Sequence, residues 1–93
     1  MSGEALSRTV RICNKRGLHA RAAAKFVMTA ERFGASVEVA RDGQSVSARS
    51  IMGLMMLGAG PGAEIELHAE GWDAKEAIDA LAALVEHGFN EDG

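Results

Sequence analysis

Apolar and polar residues alternate along four stretches of the chain, and two longer stretches carry helical spacing instead. From Leu6 to Cys13, Leu6, Val10 and Ile12 fall on one side and Ser7, Thr9 and Arg11 on the other, the pattern of a half-buried strand. Ala20, Ala23, Val27 and Ala30 recur at helical intervals, with Phe26 and Phe33 widening the stripe, which predicts a helix from about Ala20 to Phe33. Gly34 is the expected stop, in the left-handed conformation. Val37 and Val39 then alternate up to Asp42-Gly43, and Val46 and Ala48 resume the alternation after it. Asp-Gly between two such runs predicts a two-residue hairpin of the primed type. Setting Arg41 against Gln44 puts Val39 opposite Val46 and Val37 opposite Ala48, so the apolar faces agree across the turn.

Ser50 reads as the N-cap of a short helix, Ile51 to about Leu57. Ile51, Met52, Leu54, Met55, Met56 and Leu57 are apolar nearly all round it, more than a helix of this length can bury. Part of it is expected to lie exposed as a docking surface, for which Met is well suited. After the loop Gly58-Ala59-Gly60-Pro61-Gly62, residues Ala63 to Ala69 alternate again, Ile65 and Leu67 inward, Glu64, Glu66 and His68 outward. Trp72 is expected to anchor by packing, and Asp73 with Glu76 reads as a capping-box variant. The last helix carries the stripe Ala74, Ala77, Ile78, Leu81, Leu84 and Val85, with Gly88 ending it. The predicted order is strand, helix, strand, strand, helix, strand, helix. Every strand keeps one polar face, which predicts an α+β fold with an antiparallel sheet covered on one side.

The length of 93 residues, with 47% apolar and 25% charged side chains, suits one globular domain, 1–93. No window approaches the ~18–20 apolar residues of a membrane span, the N-terminus lacks signal-peptide character, and Cys13 is the single cysteine; a cytoplasmic location is expected. Cys13 is expected to be a small packing residue. Three scattered histidines and one cysteine predict neither metal site nor cofactor. A sheet face bearing Glu38, Glu64 and Glu66, in a chain without tyrosine, argues against RNA binding. No acid–base pair suggests a stand-alone enzyme.

Charge changes this picture more than composition does. Residues 1–34 hold seven Lys/Arg against two Glu, a balance of +5, whereas residues 35–93 hold three against eleven Asp/Glu, a balance of −8. The cationic third contains His19, at the junction of the loop Lys15-Arg16-Gly17 and the first helix. The N-terminus of a helix offers unpaired N–H groups and a partial positive charge, which suit a phosphate. Imidazole is nucleophilic near neutral pH, and a phosphoryl group on it is readily given up again. His19 is therefore the candidate phosphoryl acceptor, with Arg21 neutralising the phosphate and the first turn, Ala20, Arg21 and Ala22, binding it. Lys25, Ile51, Met52 and Met55 are the candidate partner-docking residues.

Gly17-Leu18-His19-Ala20-Arg21 resembles the active-site signature of HPr, the histidine-containing phosphocarrier of the bacterial phosphotransferase system. A second match lies at Arg49-Ser50-Ile51-Met52-Gly53-Leu54-Met55, and the resemblance extends over nearly the whole chain. It implies an open-faced two-layer sandwich, βαββαβα, in a monomer with no nucleic-acid or membrane partner. It also implies that Nδ1 of His19 takes phosphate from enzyme I and passes it to a IIA-type acceptor. Ser50 stands where the family has the serine modified by HPr kinase/phosphorylase, so Ser50 is the candidate regulatory site. Ala22 departs from the family, which usually has proline there; with the Met-rich second helix it leans the reading toward the nitrogen-related branch. The alternative is a regulatory module of the same family that docks to partners without relaying phosphate.

Overall fold

A computed structural model describes residues 4–91. The elements follow in the order β1 (Glu4–Arg11), α1 (Ala20–Ala30), β2 (Ser36–Arg41), β3 (Gln44–Ser47), α2 (Ile51–Met56), β4 (Glu64–Gly71) and α3 (Ala74–Glu86), with a 3₁₀ turn at Gly88–Asn90. The strands form one antiparallel sheet in the order β1-β4-β2-β3. Its inner face carries Val10, Val37, Val39, Ile65, Leu67 and Ala69, all buried. The outer face carries Ser7, Thr9, Arg11, Glu38, Glu64, Glu66 and His68, all exposed. The helices cover the apolar face alone, as the alternation requires, giving the expected open-faced α+β sandwich. Phe26 of α1, Leu54 of α2, and Leu81 and Val85 of α3 are fully buried over the sheet.

The hairpin has the expected register, Val39 opposite Val46 and Arg41 opposite Gln44. Asp42 and Gly43 both have positive φ, 52° and 82°, the primed turn that matches strand twist. No helix among the described residues is long and apolar enough to cross a membrane.

Several local expectations are corrected. The first helix ends at Ala30, capped by Glu31, and Phe33 lies in the turns beyond it. Ala20, placed on the apolar stripe, is exposed. Gly34 is not among the residues with positive φ. A Cβ there would lie 2.8 Å from Nε1 of the exposed Trp72 ring, which would have to move aside. Trp72 is no buried anchor but is 82% exposed, with this edge over Gly34. Asp73 makes no side-chain cap bond to its own helix. Its carboxylate instead accepts from the amides of Gly34 (2.9 Å) and Ala35 (2.8 Å), tying the start of α3 to the segment before β2. These bonds satisfy a buried carboxylate with two otherwise unpaired donors. Cys13 is exposed rather than packed, and its single S–H is shared between the carbonyls of Val85 (3.5 Å) and Glu86 (3.4 Å) at the end of α3.

Candidate functional site

The loop between β1 and α1 is shaped by one residue that no side chain could replace. Gly17 has φ of +65°, and a Cβ there would sit 2.6 Å from the Ala59 carbonyl oxygen. That same carbonyl accepts from the Leu18 amide at 2.9 Å, and Leu18 is buried. With Leu18 pinned inward, His19 emerges at the N-cap of α1 with extended backbone, φ −80° and ψ −179°. Its carbonyl accepts the first helical bond, from Ala23 at 2.8 Å.

The ring of His19 does what a serine or aspartate cap does: its Nδ1 accepts from the Arg21 amide at 3.2 Å. An acceptor nitrogen carries no proton, so the hydrogen of the neutral ring resides on Nε2. The Nδ1 lone pair is thus turned toward the positive end of an eleven-residue helix. The Ala20 and Ala22 amides have no acceptor among the described residues. The Arg21 side chain is exposed and makes no hydrogen bond or ion pair among them either. An anion placed beside Nδ1 would find two unpaired amides, a guanidinium within the same turn, and, once it displaces the ring, the Arg21 amide as well.

Not every candidate stands where the sequence suggested. Lys25 is half-buried, its ammonium donating to the Phe89 carbonyl at 2.7 Å, so it serves the chain's own C-terminal segment. Ser50 caps α2 as expected, its Oγ accepting from the Gly53 amide at 2.9 Å. Along α2, Leu54 and Leu57 are buried, while Ile51, Met52, Met55 and Met56 remain exposed. His68 pairs with Glu66 on the outer sheet face, and His87 is an exposed C-cap; neither approaches His19 through any hydrogen bond. No group of three or more His, Cys, Asp or Glu among the described residues could hold a metal.

Two residues at the site went unnoticed in the sequence. Asn14 is buried, and its Nδ2 donates to the Gly17 carbonyl (2.9 Å) and to Glu91 Oε1 (2.9 Å). The other oxygen of Glu91 lies 2.5 Å from Nε2 of His19. Hydrogen bonds from Asn14 first, and then from His19, hold the Glu91 carboxyl below its ordinary range, against the opposing effect of desolvation. The available signal was Phe89, an aromatic residue just past the expected helix stop, which implies a tail folding back onto the core.

A mostly covered imidazole capping a helix, its Nδ1 edge beside unpaired first-turn amides, on a sandwich with one bare sheet face, defines a small anion-receiving carrier domain. Comparison with known proteins makes the class specific. Residues 6–87 match the family described as "PTS HPr component phosphorylation site". The chain is 49% identical over 86 residues to the phosphocarrier protein HPr of Cupriavidus necator, covering 92% of this chain and 97% of that one. It is 46% identical over 86 residues to the phosphocarrier protein NPr of Shewanella violacea, covering 92% and 94%. The crystal structure of HPr-C-His from Thermoanaerobacter tengcongensis superposes with a TM-score of 0.90 at 48% identity, covering 95% of this chain and 99% of that one. The chain belongs to the HPr family, the phosphocarriers of the phosphotransferase system.

Proposed function

We propose that this phosphocarrier bears its phosphoryl group on Nδ1 of His19, receiving it from enzyme I and giving it to a IIA-type acceptor. The observation that carries the reading is the Nδ1 lone pair, held 3.2 Å from the Arg21 amide at the N-terminus of α1. Attack through Nδ1 delivers the phosphoryl oxygens to the Arg21 amide and its unpaired neighbours on Ala20 and Ala22. The Arg21 guanidinium neutralises the dianion. In-line transfer needs positioning and charge neutralisation more than covalent chemistry from the protein, so an open cradle on a small domain suffices. Ile51, Met52 and Met55 offer an apolar surface for the partners.

Incubation with enzyme I and phosphoenolpyruvate is the test. The expected product is an acid-labile, base-stable phosphate on His19; absence of that label overturns the carrier role in favour of a regulatory module that docks without relaying phosphate.

A second reading concerns Ser50, and the observation favouring it is the cap bond to Gly53. A phosphate on this hydroxyl would sit at a helix N-terminus beside exposed Ile51 and Met52, tolerable to the fold and repulsive to an acidic partner. Regulation by an HPr kinase/phosphorylase is its expected form, tested by labelling Ser50 with that kinase; labelling confined to other residues would remove it.

A further inference from the structure

Glu91 lies beyond the last helix, yet it is not an idle chain end. Gly88, Phe89 and Asn90 take three successive positive φ values, 63°, 56° and 59°, which turns the chain sharply back. Left-handed backbone is unfavourable at Phe89 and is sustained by its side chain, which is fully buried. Lys25 fixes the turn by its bond to the Phe89 carbonyl, and the Glu91 amide donates to the Gly88 carbonyl at 3.1 Å. Glu91 is thereby delivered to the ring of His19, its second oxygen held by buried Asn14. Side chains of both Glu91 and His19 are mostly covered, at 16% and 17% exposure.

We propose that Glu91 is a positioning residue of the phosphocarrier site: its carboxylate holds the His19 ring with the proton on Nε2 and Nδ1 bare, and balances the charge the ring gains on phosphorylation. An ionised carboxylate only accepts, so it selects the ring form with hydrogen on the nitrogen facing it. The helix terminus selects the same form from the other side, because the Arg21 amide requires a bare Nδ1. This inference rests on His19 being the carrier. During transfer the Nδ1 lone pair forms the bond to phosphorus, and the donor's bond to phosphorus breaks, its electron pair leaving with the donor. No proton moves: Nε2 keeps its hydrogen and the ring becomes cationic, facing a carboxylate at 2.5 Å. Return of the phosphoryl group to an acceptor restores the neutral ring. Asn14 restrains the carboxylate so that it stays on Nε2.

The experiment compares the full chain with Glu91→Gln and Glu91→Ala, reading two quantities. The first is the distribution of the His19 proton between its nitrogens, from ¹⁵N NMR of the unphosphorylated protein. The second is the initial rate of labelling by enzyme I and phosphoenolpyruvate. Both variants should keep the wild-type circular dichroism spectrum. Glu91→Ala should weaken the bias toward Nε2–H, and Glu91→Gln should weaken it less because its amide oxygen still accepts. Both should be labelled roughly tenfold more slowly, the lower end of what removing a carboxylate behind a histidine costs at metal sites. An unchanged proton distribution, or an unchanged rate, overturns the proposal. A wild-type chain that takes no label on His19 instead overturns the carrier reading, and the NMR measurement keeps the two failures apart.

Discussion

Two helices of this domain begin in the same way and end up chemically different. Both α1 and α2 are capped by a side chain that accepts a first-turn amide, His19 Nδ1 from Arg21 at 3.2 Å and Ser50 Oγ from Gly53 at 2.9 Å. The contrast lies in what stands behind each cap. His19 is backed by Glu91, which Asn14 restrains, so its second nitrogen is committed and its first is left as a bare lone pair. Among the described residues the Ser50 hydroxyl has no hydrogen-bond partner beyond its cap amide, and it opens onto exposed Ile51 and Met52. Capping alone therefore does not distinguish the two sites; what sets His19 apart is a nucleophile held from behind and facing unpaired donors, the arrangement on which the proposed carrier role rests.

The largest expected effect comes from His19→Ala, which should abolish labelling by enzyme I. Loss of the N-cap bond should cost only about 1 kcal/mol of stability in a denaturant titration; persistent labelling would place the acceptor elsewhere. Arg21→Ala comes next. Removing one charge-assisted contact worth roughly 1.5–3 kcal/mol should slow labelling about 10- to 100-fold with an unchanged melting temperature. A rate equal to wild type would leave the amides as the whole cradle. Ser50→Asp should slow labelling several-fold while aspartate preserves the cap, so that thermal stability stays near wild type; a collapse of the fold would reduce Ser50 to a structural cap.

The smallest effect is a pH dependence. Because the Glu91 carboxyl is depressed in the folded chain, its contribution to stability is complete above the ordinary carboxyl value of 4.5 and is lost as pH falls through the lower folded value. The groups responsible are Asn14 and His19, with Lys25 adding a weaker attraction. A carboxyl ¹³C titration of Glu91 should give a midpoint below 4.5, and a midpoint at or above it would mean that the contact to His19 does not persist in solution.

Much of the fold could be read locally. Period-two alternation marks residues that bury one face of a strand, and Asp42-Gly43 fits only one tight turn, so strands, hairpin register and the bare sheet face were all legible. Ser50 and His19 were legible as helix starts for the same reason. Several of the misreadings share one cause, a partner distant in sequence. Asp73 beside Glu76 has the spacing of a capping box, but its carboxylate goes to the amides of Gly34 and Ala35. Gly34 looks like a left-handed helix stop, and instead it lies under the edge of the Trp72 ring. Asn14 and Glu91 are separated by 77 positions, and nothing in the spacing of either announces that they meet at the ring of His19. Lys25, expected as a docking cation, also has a partner distant in sequence, the Phe89 carbonyl 64 positions on.

The central claim is that phosphorus bonds to the imidazole nitrogen facing the amino end of α1. Long-range ¹H–¹⁵N NMR of the ¹⁵N-labelled chain, phosphorylated by enzyme I and phosphoenolpyruvate, tests it most directly. The expected spectrum shows phosphorus coupled to Nδ1 of His19 with hydrogen retained on Nε2. Phosphorus on Nε2, or on any other residue, would contradict it.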